Sequence, residues 1–553
     1  MNTTTVGSPS RMGRPGLFWL GLSLVTLGVG LSLWEFLELR ATPDAPHVFT
    51  PMMAVALVID LGGTLLAAWG VLPHGWFEHR RRRLEQLAQP VEPALEATPP
   101  AEQAGAPEQE ALGAMDEAPL SRGHWTMLAR MYAGLVIDTM KPATLGFMLP
   151  GMRAEYDLSP AIVSLFPLAA VIGLTLGSVL FGLLGDLIGR RASFIFTALL
   201  FATTAPCGLM PGYHWHLIMC FVMGLAAGGE LPLIYTMLAE VMPARHRGWT
   251  SVAVGGIGGL SGYLVASLLA GWLEPTFSWR VLWLPNLPTA ILMLGLLRWV
   301  HESPRFLLQM GFPDEARRAL ETIGVAVSSS VSHTATAAAS VGDLLAGSRR
   351  QITITLCLFG FAWGLCNWGF ITWLPDMLRS AGYEAGLASD LLSRSAVYAL
   401  PGTIVAALSY GFWSSRWTAV IAASATALAL FAFWICAPYL EGRVDLVVVL
   451  TAALLVASSS MIGVLAPYSV ELYPTALRGL GSGVVAGSSK SGGIVGPLLV
   501  GVLLTISPGS GIPALVIAVP IALAAVSIGW RGTETRGRSL EQLAALAARS
   551  QDK

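Results

Sequence analysis

The sequence predicts an all-α membrane protein: a pseudo-symmetric bundle of six plus six transmembrane helices, preceded by a two-helix hairpin. Three observations carry that expectation. Of the 553 residues, 54% are hydrophobic and only 12% are charged, whereas a soluble protein carries about a quarter charged residues. The apolar residues are gathered into runs close to the ~20 residues a helix needs to cross a bilayer. One charged segment also occurs twice, 231 residues apart, as EVMPARHRG at 240–248 and ELYPTALRG at 471–479. The copies share Glu240, Pro243, Arg247 and Gly248 with Glu471, Pro474, Arg478 and Gly479. A charged hairpin between two buried helices, repeated at half-chain distance, indicates a duplicated bundle. MLPGM at 148–152 is likewise echoed by WLPDM at 373–377. GLLGDL at 182–187 is echoed poorly by GFWSSR at 411–416, where Ser415 stands near the place of Asp186.

The first apolar run, 16–37, is too long for a signal peptide and lacks a small-residue cleavage site, so it reads as a retained span. The second, 49–73, runs into FEHRRRRLEQ. Arg80 to Arg83 place that end in the cytoplasm by the positive-inside rule, making 1–76 a hairpin with both ends inside. Asp60 falls mid-span, where a charge costs about 2.5–3.5 kcal/mol on insertion scales. It is expected to face protein or water. Residues 77–121 are rich in Ala, Pro, Glu and Gln and read as a disordered cytosolic linker.

The main bundle divides at a polar stretch. The first half, 122–299, has runs at 127–149, 160–184, 192–210, 215–239, 252–272 and 280–299. The second half, 351–530, has runs at 351–375, 391–413, 418–438, 445–468, 482–505 and 512–530. Between them, 300–350 is a cytosolic loop in which FPDEARRALETIG is amphipathic, with Ala316, Leu320 and Ile323 on one face. The tail, 531–553, opens a further charged helix at TETRGRSLEQ. Arginines cluster on the side of the 2–3, 4–5, 6–7, 8–9 and 10–11 connections and the tail, so both ends of the bundle are expected in the cytoplasm.

Several function classes are disfavoured. A net charge of −1 offers no nucleic-acid footprint. No GXXXXGK[ST] loop is present, so no ATP-driven pump is expected. The five cysteines lie in apolar runs and read as free thiols. No metal or cofactor site is expected.

The ionisable residues inside spans carry the mechanism. Asp138 and Lys141 lie three apart on the first core helix and share a face, and Pro142 should loosen the helix there. Glu230 sits in the fourth span and Lys490 in the eleventh. The only lysines are Lys141, Lys490 and Lys553, so two of the three lie in the membrane. These groups are either structural ion pairs or a proton- and anion-handling site. Aligned on the repeat, Glu230 and Lys490 have no charged counterpart, and a site between the halves is where they would meet. Polar side chains suited to a polyol are scarce, chiefly Asn286 and Asn367. Trp363, Trp368 and Trp373 suit a flat aromatic group, or core packing.

With those residues in place the chain resembles the major facilitator superfamily. GLLGDLIGRR at 182–191 is similar to its loop between the second and third helices. The two EXXPXXXRG copies, ESPR at 302–305 and ETRGRSLE at 534–541 resemble the sugar porter and metabolite:proton (aromatic acid) symporter branches. The resemblance covers about 127–545. It implies a major facilitator fold and alternating access, with a cytosolic gate drawn from Asp186, Arg190, Arg191, Glu240, Arg247, Glu302, Arg305, Glu471, Arg478 and Glu534. Asp186 can cap the following helix. VIDTMK at 136–141 is similar to the first-helix pattern of aromatic acid symporters, with Lys141 where a second Asp is expected.

The expected activity is proton-coupled symport of a small organic anion, aromatic or other carboxylate, across the cytoplasmic membrane. The substrate and proton candidates are Asp138, Lys141, Glu230, Asn286, Asn367, Lys490, Trp363 and Trp368. The alternatives are an exporter of hydrophobic compounds, a sugar porter, or a non-transporting scaffold or sensor. The partners expected are lipid, a small anionic substrate and protons.

Overall fold

The structure is a computed structural model. It describes residues 14–40, 50–72, 78, 119–210, 212–297, 300–310, 312–324, 344, 349–473, 478–507 and 509–535. Most of the linker and of the tail helix expected from 533 lies outside the described residues; 532–535 are not helical.

The hairpin consists of α1 (Pro15–Arg40) and α2 (Pro51–Val71). Gly21, Gly28, Gly63 and Gly70 lie where any Cβ would collide with the facing helix, so the two backbones touch. Asp60 is fully buried beside Gly28 in that seam. Thr50 caps α2 and its hydroxyl bonds to the Glu35 carboxylate, tying the turn end together. The hairpin rests on α5 of the first half. Trp19, Trp34, Leu65 and Trp69 remain on its outer surface, a belt suited to lipid.

The first half contains α3 (Arg122–Glu155), α4 (Leu165–Ile188, after a helical turn at Pro160–Val163), α5 (Arg190–Thr203, continued by a 3-10 turn at Ala205–Leu209), α6 (Tyr213–Val241), α7 (Ala244–Leu273) and α8 (Asn286–Leu297, after a 3-10 turn at Trp279–Trp283). The loop adds α9 (Pro304–Gln309) and α10 (Pro313–Thr322). Ala316, Leu320 and Ile323 are buried, as their periodicity predicts. Ser121 donates to the Ile323 carbonyl at 2.5 Å, anchoring the loop to the start of α3.

The second half contains α11 (Arg349–Gly364), α12 (Leu374–Ser380), α13 (Ala385–Phe412), α14 (Ser415–Cys436), α15 (Val444–Leu472), α16 (Arg478–Ile506) and α17 (Gly511–Arg531). Among the described residues, thirteen helical segments are long and apolar enough to cross a membrane. The 34-residue α3 is not in that set, its middle carrying Asp138 and Lys141.

α3 stays helical through Pro142 and Pro150, held by its neighbours where each proline removes a backbone hydrogen bond. The seventh span is the interrupted one. Between α11 and α12 the chain makes a π-helical turn at Leu365–Phe370 and a 3-10 turn at Ile371–Trp373.

Glycines set the close packing. Gly173 and Gly177 of α4 and Gly224 and Gly228 of α6 each meet the backbone of the other helix, the four-residue small-residue pattern that lets membrane helices approach. The halves meet where α7 packs on α13 and α15, and α4 on α16.

Candidate functional site

Glu230 follows directly on the glycine seam of α6. That seam fixes the rotation of the helix and turns Glu230 toward α3 and α5. Asp138, Lys141 and Glu230 come within electrostatic reach of one another. All three are buried, Glu230 completely. Among the described residues no close hydrogen bond reaches either Glu230 oxygen, Asp138 Oδ1 or Lys141 Nζ, although the Thr197 hydroxyl of α5 lies near enough to Glu230 to act on it. Lys141 Nζ lies 3.0 Å from the ring centroid of Phe201 on α5. The lysine is therefore seated on an aromatic face, a favourable contact for a desolvated ammonium, and donates no hydrogen bond to either carboxylate. Fully ionised, the cluster holds two negative charges and one positive.

Lys490 stands apart. It is partly buried on α16, with no charged group among the described residues close enough to act on it. Glu230 meets Lys141 within the first half and not Lys490 across the halves. The polar candidates divide further. Asn286 donates to Thr204 Oγ1 at 2.9 Å, an internal tie between α8 and α5. Trp363 donates to the Ser458 carbonyl at 3.2 Å, and Trp368 packs against Gly493 of α16. Asn367 is half-buried in the π-helical turn.

The arginine-rich end holds the expected gate charges in two clusters, one per half. In the first, Glu302 accepts from the backbone N–H of Arg190 at 2.9 Å and of Arg191 at 3.2 Å. Arg190 pairs with Glu240 at 3.2 Å. Glu302 thus satisfies the orphan N–H groups that open α5; Gly189 at the N-cap has no side chain to offer, and the side chain of Asp186, expected to cap this helix, lies outside the described residues. Burial pushes the Glu302 carboxyl above its ordinary range, against the opposing pull of these N–H groups and of Arg190. In the second cluster Glu534 does the same for α14, accepting from the Ser415 N–H at 3.0 Å and from the Ser414 and Ser415 hydroxyls. Glu471 accepts from Tyr410 and Thr535 and lies beside Gly248 of the other half. The side chains of Asp186, Arg247, Arg305 and Arg478 lie outside the described residues.

Sequence reasoning missed Phe201, one of several phenylalanines on its helix, and the charged residues at the opposite end. There Arg280 pairs with Glu155 at 2.5 Å, Arg153 with Asp376 at 3.1 Å, and Arg379 with Glu274.

The profile of the sugar (and other) transporter family matches residues 130–547. The chain belongs to that family. Its relatives include the niacin transporter NiaP of Acinetobacter baylyi, 28% identical over 78% of this chain and 98% of that protein. They also include a gallate transporter of Pseudomonas putida, 26% identical over 75% of this chain and 93% of that one. The partially occluded inward-open structure of the xylose transporter XylE from E. coli superposes with a TM-score of 0.62 at 17% identity, covering 76% of this chain and all of that one. That likeness gives the fold. The chain is a transporter of the major facilitator type and not an enzyme.

Proposed function

We propose that the protein couples inward proton movement to uptake of a small aromatic carboxylate, by alternating access, in a cytoplasmic membrane with both ends of the bundle inside. The observation that carries this reading is the Asp138–Lys141–Glu230 cluster. Two carboxylates around one ammonium leave one negative charge uncompensated where water is scarce, and a single proton on Asp138 or Glu230 neutralises it. An ionisable cluster of this kind in a helix bundle is a candidate proton relay. Lys490, carrying no carboxylate of its own, is the cation proposed to receive the substrate's carboxylate. The indoles of Trp363 and Trp368 and the amide of Asn367 would flank its ring; Asn286 is left a structural role. The niacin and gallate named for two relatives are both aromatic carboxylates, which supports this substrate class over a sugar.

The charges at the arginine-rich end are proposed to bias which side of the site is closed, through the approach of Glu471 to Gly248. The test is uptake of radiolabelled nicotinate and gallate into proteoliposomes. Uptake should be faster with an acidic exterior than at equal pH, and competed by unlabelled aromatic carboxylates but not by xylose. Uptake insensitive to an imposed pH gradient would contradict the coupling, and competition by sugars alone would contradict the substrate class.

A further inference from the structure

Asp60 of the N-terminal hairpin is a buried carboxylate that belongs neither to the Asp138–Lys141–Glu230 cluster nor to the arginine-rich end. It lies midway along α2 and is fully buried. Neither of its oxygens has a hydrogen-bond partner among the described residues. The seam around it is made of backbone. The Ala56 carbonyl lies against Gly28, and the carbonyls of Gly21 and Gly63 each lie against the facing glycine. Those groups only accept. The N–H groups that could serve a carboxylate are spent inside each helix. The Thr64 hydroxyl, one turn further along the same face, is buried too and reaches no partner among the described residues.

The ionisable groups of the neighbouring elements are engaged elsewhere. Asp60 is the only ionisable residue of α2. On the α1 side, Arg14 lies over the Trp69 ring and Glu35 is held by Thr50; the side chains of Glu38 and Arg40 lie outside the described residues. On α5, against which the hairpin rests, Arg190 pairs with Glu240 and Arg191 donates to the Leu297 carbonyl. Cys207, in the 3-10 turn after α5, lies against His216. No charged group among the described residues is close enough to act on Asp60. The touching backbones leave no room for a hydrated ion in its place. An ionised carboxylate is costly there, whereas the neutral acid carries an O–H that suits a seam lined by carbonyls.

We propose that Asp60 is a proton-binding site of the hairpin, separate from the Asp138–Lys141–Glu230 cluster: a proton on Asp60 closes α1 on α2 and seats the hairpin on α5, and its release opens the seam to water. Closing takes up a proton, so the closed fraction is greatest at acidic pH and falls as pH rises. The hairpin precedes residues 130–547, which match the transporter family, so the site lies outside the shared bundle. It still bears on that bundle, because α5 carries the Phe201 ring on which Lys141 is seated. The inference depends neither on the substrate nor on the coupling ion.

The test uses the full chain in lipid, in a background lacking the five native cysteines. Spin labels at Gly16→Cys and Leu65→Cys, both exposed, read the seam. Labels at Leu65→Cys and Leu292→Cys, the latter exposed on α8 beside α5, read the seating of the hairpin. The parent should show short distances at acidic pH. The ratio of long to short distances should rise by up to about tenfold per pH unit as Asp60 releases its proton. Asp60→Asn, which donates and never ionises, should hold the short distances at every pH, and Asp60→Leu should do the same without the hydrogen bond. Glu35→Gln should keep the parent's response. Monodispersity in detergent checks the folding of each variant. Parent distances that do not change with pH, a response in Asp60→Asn or Asp60→Leu equal to the parent's, or one lost equally in Glu35→Gln would overturn the site.

Discussion

Lys141 seats its ammonium on the face of Phe201, 3.0 Å from the ring centroid, and not against either carboxylate that it neutralises. In the proposed coupling, that placement keeps a positive charge in the cluster without tying up either carboxylate, leaving Asp138 and Glu230 to take the proton. Phe201→Leu removes the ring face, worth about 2 kcal/mol when desolvated, and frees the lysine to collapse onto a carboxylate. Proton-driven uptake should fall roughly tenfold or more, with Phe201→Tyr close to wild type. Equal pH profiles for the leucine variant, the tyrosine variant and wild type would show that the ring merely fills space.

The carboxylates should separate coupling from exchange. Glu230→Gln or Asp138→Asn is expected to abolish acceleration by a pH gradient while substrate exchange across the membrane at equal pH persists. Preloaded-vesicle exchange alongside gradient-driven uptake checks this. Loss of both rates with protein that remains monodisperse would place these residues in substrate binding and not in coupling.

Lys141 itself provides a stability comparison. Lys141→Met leaves two buried carboxylates without a cation and should destabilise the protein by about 3–5 kcal/mol. The double change Lys141→Met/Glu230→Gln should be milder than the single one, since less charge is stranded. Thermal unfolding of the purified variants would show the order, and additive losses would argue against a shared cluster.

Lys490→Gln should leave the thermal midpoint near wild type, because no charged group among the described residues lies close enough to be stranded. Binding of labelled nicotinate should be lost. Retained binding would move the anion site elsewhere.

Glu302 and Glu534 sit 232 residues apart and do one job twice, each accepting the N–H groups that open the helix after a hairpin. Glu302→Ala and Glu534→Ala should each cost about 1–2 kcal/mol and add in the double variant, since they lie in different halves. Burial holds the Glu302 carboxyl above its ordinary range, so folding favours its protonated form. The stability it contributes is fully present below the ordinary glutamate range and lessens as pH rises through the folded value. The stability gap between wild type and Glu302→Gln should therefore narrow as pH rises. A gap constant with pH, followed by thermal unfolding, would contradict this assignment.

The bundle was legible because lipid imposes one rule, an apolar run of helical length, and the chain obeys it almost everywhere. The exception, α3, was legible for the opposite reason, since its mid-span Asp138 and Lys141 are expensive enough to mark a site. Their common face followed from a three-residue spacing alone. The partner of Glu230 did not, because spacing within one helix says nothing about which neighbour it faces; the glycine seam between α4 and α6 decides that. The break at 365–373 was hidden because LCNWGFITW is as apolar as any continuous helix. The second-half hairpin looked degraded when Ser415 was compared with Asp186. The shared chemistry instead lies in Glu302 and Glu534, which reach each hairpin from a distant stretch of chain. Arg153, Glu274, Asp376 and Arg379 read as scattered end charges until the fold brought them together.

The central claim, that substrate and proton move together through the Asp138–Lys141–Glu230 cluster, is tested most directly by proton entry itself. Proteoliposomes enclosing a pH-sensitive dye would receive external nicotinate, with protein-free vesicles correcting for diffusion of the neutral acid. Wild-type vesicles should acidify inside on addition of nicotinate, whereas Glu230→Gln vesicles, though still exchanging substrate, should not. Nicotinate uptake without substrate-dependent acidification by the wild type, or equal acidification by the variant, would contradict it.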